Sequence, residues 1–270
     1  MQAPWKGSGD VSKRKKIILC LVMAAAVLAI GATFAFLSFT TGTAQNKFSS
    51  NKYLDIQLRE PSWDGYDFGQ YVTDSSGKQS EPDGKTPKST DTALGYNQAL
   101  HYSPGQSIPK NPQVKNTGDS TNGVDAYIAV KVTYSIGGVA KSYDDFTYKV
   151  DNNTAAGNNG GITTGLNFQE GWILIQDKGT DGQIYLYGTG KAGTTTNSTA
   201  TQLDVGNITT KPLFTQVPIS PNVTLVPTTV KGVTENLPPA FNITVKAYAI
   251  QSANVSASDA ANLLVNYIGN

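Results

Sequence analysis

The feature that most limits how this chain can fold is a recurring short alternation of apolar and polar residues, broken by turn formers. In residues 124–136, Ala126, Ile128, Val130, Val132 and Tyr134 stand at every second position. Side chains on a strand change face at each residue, so these five share one face. Residues 53–58 repeat the pattern, with Leu54, Ile56 and Leu58 set against Asp55 and Gln57. Residues 146–150, 172–175, 184–187, 213–219 and 241–250 are further β-type runs, separated by Gly, Asn, Asp and Pro. Seven or more strands with no helical period between most of them predict an all-β sandwich or barrel. With 15% charged residues and 27 glycines, the composition excludes a coiled coil.

One helix is predicted, at the C-terminus. Ser256 can cap it, with Asp259 three residues on as a capping-box partner. Ala260, Leu263, Leu264 and Tyr267 then form one apolar stripe that must lie against the sheets, and Gly269 is placed to stop it. Residues 73–91, 152–164 and 188–201 are rich in Gly, Ser, Asn, Thr and Lys, and are expected to be exposed loops with little to bury.

The N-terminus sets the compartment. Lys13, Arg14, Lys15 and Lys16 precede an uncharged run over residues 17–39. A basic cluster before an apolar stretch is the layout of a secretory signal. Small residues at 31, 32 and 35 close the run, which places a cut between Ala35 and Phe36; Ala44 is a second candidate. The competing reading is an uncleaved anchor, since about 20 residues span a bilayer as a helix. In either case the chain after residue 45 is expected outside the membrane. Removing residues 1–35 also removes the only cysteine, Cys20, and leaves 16 basic and 19 acidic side chains. The divisions expected are a signal over 1–35, an extended segment over 36–50, and one β domain over 51–270.

Catalytic constellations are scarce. His101 is the only imidazole, and no Gly-x-Ser-x-Gly elbow occurs. A nucleophile needs a base beside it, and a zinc site needs several ligands, so no catalytic, metal or cofactor residue is assigned. Asp177 and Asp181-Gly182 have calcium-loop spacing, but Gly179 and Gly188 occupy positions that need oxygen donors, so a hairpin turn is expected there. Asp144-Asp145 is expected to open the 146–150 strand. Trp63, Tyr66, Phe68 and Tyr71 form either a sugar-stacking patch or a cluster packed under a loop. Basic residues show no stripe, which gives no nucleic-acid footprint. Six Asn-x-Ser/Thr sequons, the first at Asn152, carry glycans only where the host modifies asparagine outside the cytoplasm.

Three stretches together resemble the TasA/camelysin family of exported proteins processed by a SipW-type signal peptidase. The first joins Lys-Arg-Lys-Lys, Ile30-Gly-Ala-Thr-Phe-Ala35-Phe36 and Asn46-Lys-Phe48, leading into Leu54-Asp-Ile-Gln-Leu58. The second is Pro104-Gly-Gln-Ser-Ile-Pro-Lys110, then Val114-Lys-Asn-Thr-Gly118 and the strand from Asp125. The third combines Leu213-Phe214-Thr-Gln-Val217 with Val245-Lys-Ala-Tyr-Ala-Ile-Gln251 and the helix behind it. Leu37-Ser-Phe39-Thr departs from the family, which often has an acidic residue after the cut.

The resemblance implies a jelly-roll sandwich, exported and, as in several members, assembled head-to-tail with copies of itself into extracellular biofilm matrix fibres. The protease label some members carry is set aside here because the imidazole and acid inventory offers no convincing site. The signal peptidase is then a partner during export, and the membrane is touched only before cleavage. In such fibres an N-terminal strand completes the sheet of the next subunit, and Phe36, Leu37, Phe39 and Phe48 are the donor candidates. Burying three or four such side chains yields on the order of 5–10 kcal/mol gross. The competing arrangement is that the segment lies on its own sheet as an edge strand. The alternatives in function are a membrane-anchored cell-surface binding module and a camelysin-like surface metalloprotease.

Overall fold

The computed structural model describes residues 38–40, 52–149, 160–230 and 232–269. In chain order its strands are β1 (Ser38–Thr40), β2 (Ile56–Arg59), β3 (Val72–Thr73), β4 (Gln79–Ser80), β5 (Ser107–Pro109), β6 (Gln113–Asn116), β7 (Ala126–Ile136) and β8 (Val139–Lys141). They continue with β9 (Trp172–Asp177), β10 (Gln183–Thr189), β11 (Thr199–Ala200), β12 (Gln202–Leu203), β13 (Gln216–Pro218), β14 (Val226–Val230), β15 (Val233–Leu237) and β16 (Phe241–Gln251). The helices are α1 (Pro61–Asp64), α2 (Gly95–Ala99), α3 (Tyr143–Phe146) and α4 (Ala260–Gly269). The chain is thus mostly β, with antiparallel strand ladders throughout.

Eight strands form one sheet along the order β1, β16, β7, β10, β11, with β8 and β12 also on β7 and β9 on β10. The sheet curls into a half-barrel. Its spine is the long pairing of β7 with β16, in register from Phe241 opposite Ile136 to Gln251 opposite Ala126. The alternation expected for residues 124–136 decides what each face does. Ala126, Ile128, Val130, Val132 and Tyr134 enter the main core, with Ile56, Ile108, Val114, Phe146 and Phe214. Tyr127 and Ala129 turn the other way and meet α4.

The α4 cap is built as expected: the Ser256 hydroxyl accepts the Asp259 N–H at 3.1 Å and donates to its carboxylate at 2.5 Å. The buried stripe is rotated from the expected one. Ala260, Ala261, Leu264 and Ile268 are buried, while Leu263 and Tyr267 are only half-buried. Ala260 and Ala261 are both small enough to pack closely in the second core with Tyr127, Ala129 and Ala200. Leu264 and Ile268 each contribute about 1.5–3 kcal/mol by leaving water.

Several sequence expectations need correction. Residues 143–146 are helical rather than the start of a strand over 146–150. Ser142 accepts the Asp145 N–H at 3.1 Å and donates to the Asp145 carboxylate at 2.9 Å, so Asp144-Asp145 sits in the first turn of α3, where acids suit the dipole. The capping box outcompeted the short aromatic run, and Phe146 fills the core from a helix. Within 152–164, Ile162 and Thr163 are fully buried, and the Ile162 N–H donates to the Phe146 carbonyl at 2.8 Å. Within 188–201, β11 pairs with the end of β10, and Ser198 and Ala200 are buried. Polar composition hid these segments because each described part buries a single apolar residue, Ile162 or Ala200, amid Gly, Asn and Thr, with backbone pairing adding the rest. The hairpin expected between the 172 and 184 runs is present: the Gly179 N–H donates to the Asp177 carboxylate at 2.8 Å, and the Gln183 amide donates to its other oxygen at 2.6 Å.

Candidate functional site

The feature best suited to a function lies where β16 faces away from β7. There β1 pairs with its far end, Ser38 opposite Ile250, Phe39 opposite Ala249 and Thr40 opposite Tyr248. Among the described residues, no strand lies beside residues 241–246 on that side. Strand β2 approaches β16 from across this edge, while its own ladder runs to β6. Between the two lies a cavity of about 930 Å³. One wall is the edge of β16; the other is β2 with the α1 turn and residues 81–85.

The β2 wall shows why its sequence pattern misleads. Ile56 is buried, as alternation requires, but so are Gln57 and Arg59. The segment after α1 folds back over that face. The Gln57 side chain accepts the Gly69 N–H at 3.0 Å and donates to Glu81 at 3.1 Å. Arg59 donates to the Gln70 carbonyl at 3.1 Å and to the Leu58 carbonyl at 3.2 Å, and it pairs with Glu81. Residues 69 and 70 therefore cover this face of β2. Residues 73–91 are an exposed loop as expected, with only Pro82, Gly84 and Pro87 half-buried and the exposed Glu81 reaching back to Gln57 and Arg59.

Three elements converge beside Arg59. Glu60 precedes α1, Trp63 and Asp64 lie on it, and Lys110 follows β5. The Lys110 ammonium pairs with Glu60 at 2.5 Å and sits 4.4 Å from the centre of the Trp63 ring. The indole N–H of Trp63 donates to the Gly84 carbonyl at 2.8 Å, and Tyr96 meets the ring edge-on at 5.9 Å. Gly95 makes this approach possible, since a Cβ there would lie 1.8 Å from the Pro109 carbonyl oxygen and 2.9 Å from the indole. Two polar atoms in this buried group make no hydrogen bond: Nε of Arg59 and Oε1 of Glu60.

Burial raises the Asp64 carboxyl above its ordinary 3.8, and Glu60 adds to this; the Tyr66 N–H, Arg59 and Lys110 oppose it. An acid held above its unfolded value binds its proton more tightly when folded. Its stabilising contribution is complete below the unfolded value and is lost as pH rises through the folded one. Asp64→Asn keeps an acceptor for the Tyr66 N–H, which lies 3.0 Å from the carboxylate. The variant is expected to have a higher urea midpoint than the parent at about pH 7 and no advantage at about pH 3, checked by unfolding at both.

Of the sequence-predicted positions, Ala35, Phe36, Leu37 and Phe48 lie outside the described residues, as does most of the apolar run over 17–39. Phe39 is described, in β1 on the sheet of its own chain. No helix among the described residues is long and apolar enough to cross a membrane. His101 is an exposed turn residue. Of the aromatic cluster, Trp63 and Tyr66 pack under a loop, Phe68 is half-buried and Tyr71 is exposed. Arg59, Glu60 and Lys110 were not singled out from sequence. The one signal was a charged pair, Arg59-Glu60, ending an alternating run directly before a proline. No protein-family model, curated protein or solved structure matches this chain.

Proposed function

We propose that this chain is an exported structural subunit that polymerises into extracellular matrix fibres by strand addition, with a jelly-roll arrangement of its sheets. The observation that carries the reading is the outer edge of β16. It takes up a strand from the N-terminal segment at residues 248–250, and among the described residues no strand pairs with it along 241–246. An exposed strand edge is a template for pairing with another chain, and proteins that do not use such an edge tend to cover it. A strand that pairs with its own subunit in a monomer can pair with a neighbour by exchange, at little cost because the contacts are the same. Head-to-tail exchange yields a filament where the rotation between successive subunits does not close a ring. Export is supported by the basic cluster at 13–16 followed by the apolar run, with a SipW-type peptidase as the processing partner.

The test is the exported protein itself. Mass spectrometry is expected to find a mature start at Phe36, and negative-stain microscopy to find filaments. Deleting residues 36–48 is expected to leave folded, soluble monomers, with a lower melting temperature because the deletion also removes β1 from its own sheet. Filaments that persist after the deletion refute strand donation, and an intact segment 1–40 on the exported protein favours a membrane-anchored surface module instead.

A further inference from the structure

The cavity beside β2 holds more than a strand edge, and we infer that its inner end is a binding site for a neutral, hydroxyl-rich ligand, a carbohydrate. The inference does not depend on the assembly reading. Arg59 is 5% exposed, and its Nε lacks a hydrogen-bond partner. On the next residue, Oε1 of Glu60 also lacks one, while the other carboxylate oxygen is taken by Lys110. A buried donor and a buried acceptor without partners each carry a desolvation cost that a ligand can remove. A hydroxyl group both accepts and donates, so a pair of sugar hydroxyls can satisfy both.

Charge in the cavity selects against ions. Arg59 is paired with Glu81 and Lys110 with Glu60, and Asp64 also lines the space. A ligand anion would face the five carboxyl groups of Asp55, Glu60, Asp64, Glu81 and Asp83. A ligand cation would face Arg59, Lys85, Lys110 and Lys246 and compete with Lys110 and Arg59 for the oxygens they hold. A neutral ligand leaves both ion pairs in place. The walls suit a sugar as well: Trp63 is fixed through its N–H, Tyr96 stands edge-on to it, and Tyr71 is exposed at 43% on the cavity rim. Aromatic rings cover the apolar C–H faces of sugars while neighbouring polar groups bond the hydroxyls. The volume of about 930 Å³ falls within the range of small-molecule sites and admits an oligosaccharide.

The experiment is saturation-transfer NMR and tryptophan fluorescence on the full chain, with the glucose and N-acetylglucosamine trisaccharides as probes and a peptide of residues 41–47 as the rival occupant. Saturable binding of at least one sugar is expected. Arg59→Lys, which removes Nε, and Tyr71→Ala are each expected to weaken it on the order of tenfold. Tyr71 is exposed, so its truncation tests the site even if Arg59→Lys fails to fold. The inference is overturned if neither sugar binds, if only the peptide binds, or if folded Tyr71→Ala binds sugar as tightly as the parent.

Discussion

Replacing Asn116 with alanine is expected to destabilise the fold by about 3 kcal/mol, from roughly 1–3 for each buried group left without a partner. Asn116 is completely buried at the end of β6. Its amide donates to the Val124 carbonyl at 2.9 Å and to the Leu203 carbonyl at 3.1 Å, and its oxygen accepts the Gly118 N–H at 3.2 Å. One side chain thus ties together the end of β6, the approach to β7 and strand β12. Alanine leaves two carbonyls and one N–H without partners in a place water reaches poorly. A melting temperature lower by roughly 6–12 °C is expected for a chain of this size, with the urea m-value unchanged. Asn116→Asp makes the same point differently. It retains the acceptor, loses both donors and buries a charge, so it is expected to cost at least as much. A loss below about 1 kcal/mol in both variants would show that the corner is held by its backbone pairs alone.

Lys110→Met is expected to cost about 3–5 kcal/mol, the usual consequence of removing one member of a buried ion pair. The Lys110 and Glu60 side chains are 8% and 14% exposed, so neither charge is well solvated. Without the ammonium, Glu60 keeps a carboxylate with no partner for either oxygen, next to Asp64, and Trp63 loses the cation over its ring. The double variant Lys110→Met with Glu60→Leu should recover most of the loss, since no uncompensated charge remains. A double-mutant cycle by chemical unfolding separates the two outcomes. If the double variant is as unstable as the single one, packing of the lysine stem against Trp63, not charge, holds this corner.

How legible these features were in the chain depends on how local their causes are. The long strand at β7 was readable because alternation is a property of consecutive residues, and its five inward residues all reached the core. The α4 cap and the hairpin at Asp177 were readable for the same reason, each being closed by side chains two or three residues from the group they bond. The α3 cap was equally local, but the aromatic run after it drew the reading toward a strand. Arg59 was not readable. Its burial comes from a segment that returns about ten residues later to supply the Gln70 carbonyl, and from Glu81 farther on.

The sequence by itself determined that this chain is built mostly from β-strands, which face of β7 is apolar, and where its C-terminal helix begins. Those properties follow from side-chain period and capping, which act over a few residues. Tertiary structure alone decided that β16 presents an edge to β1, that β2 stands across a cavity from it, and that two ion pairs line that cavity. Strand neighbours and the cover over a polar side chain are set by contacts between distant parts of the chain, and no local pattern encodes them.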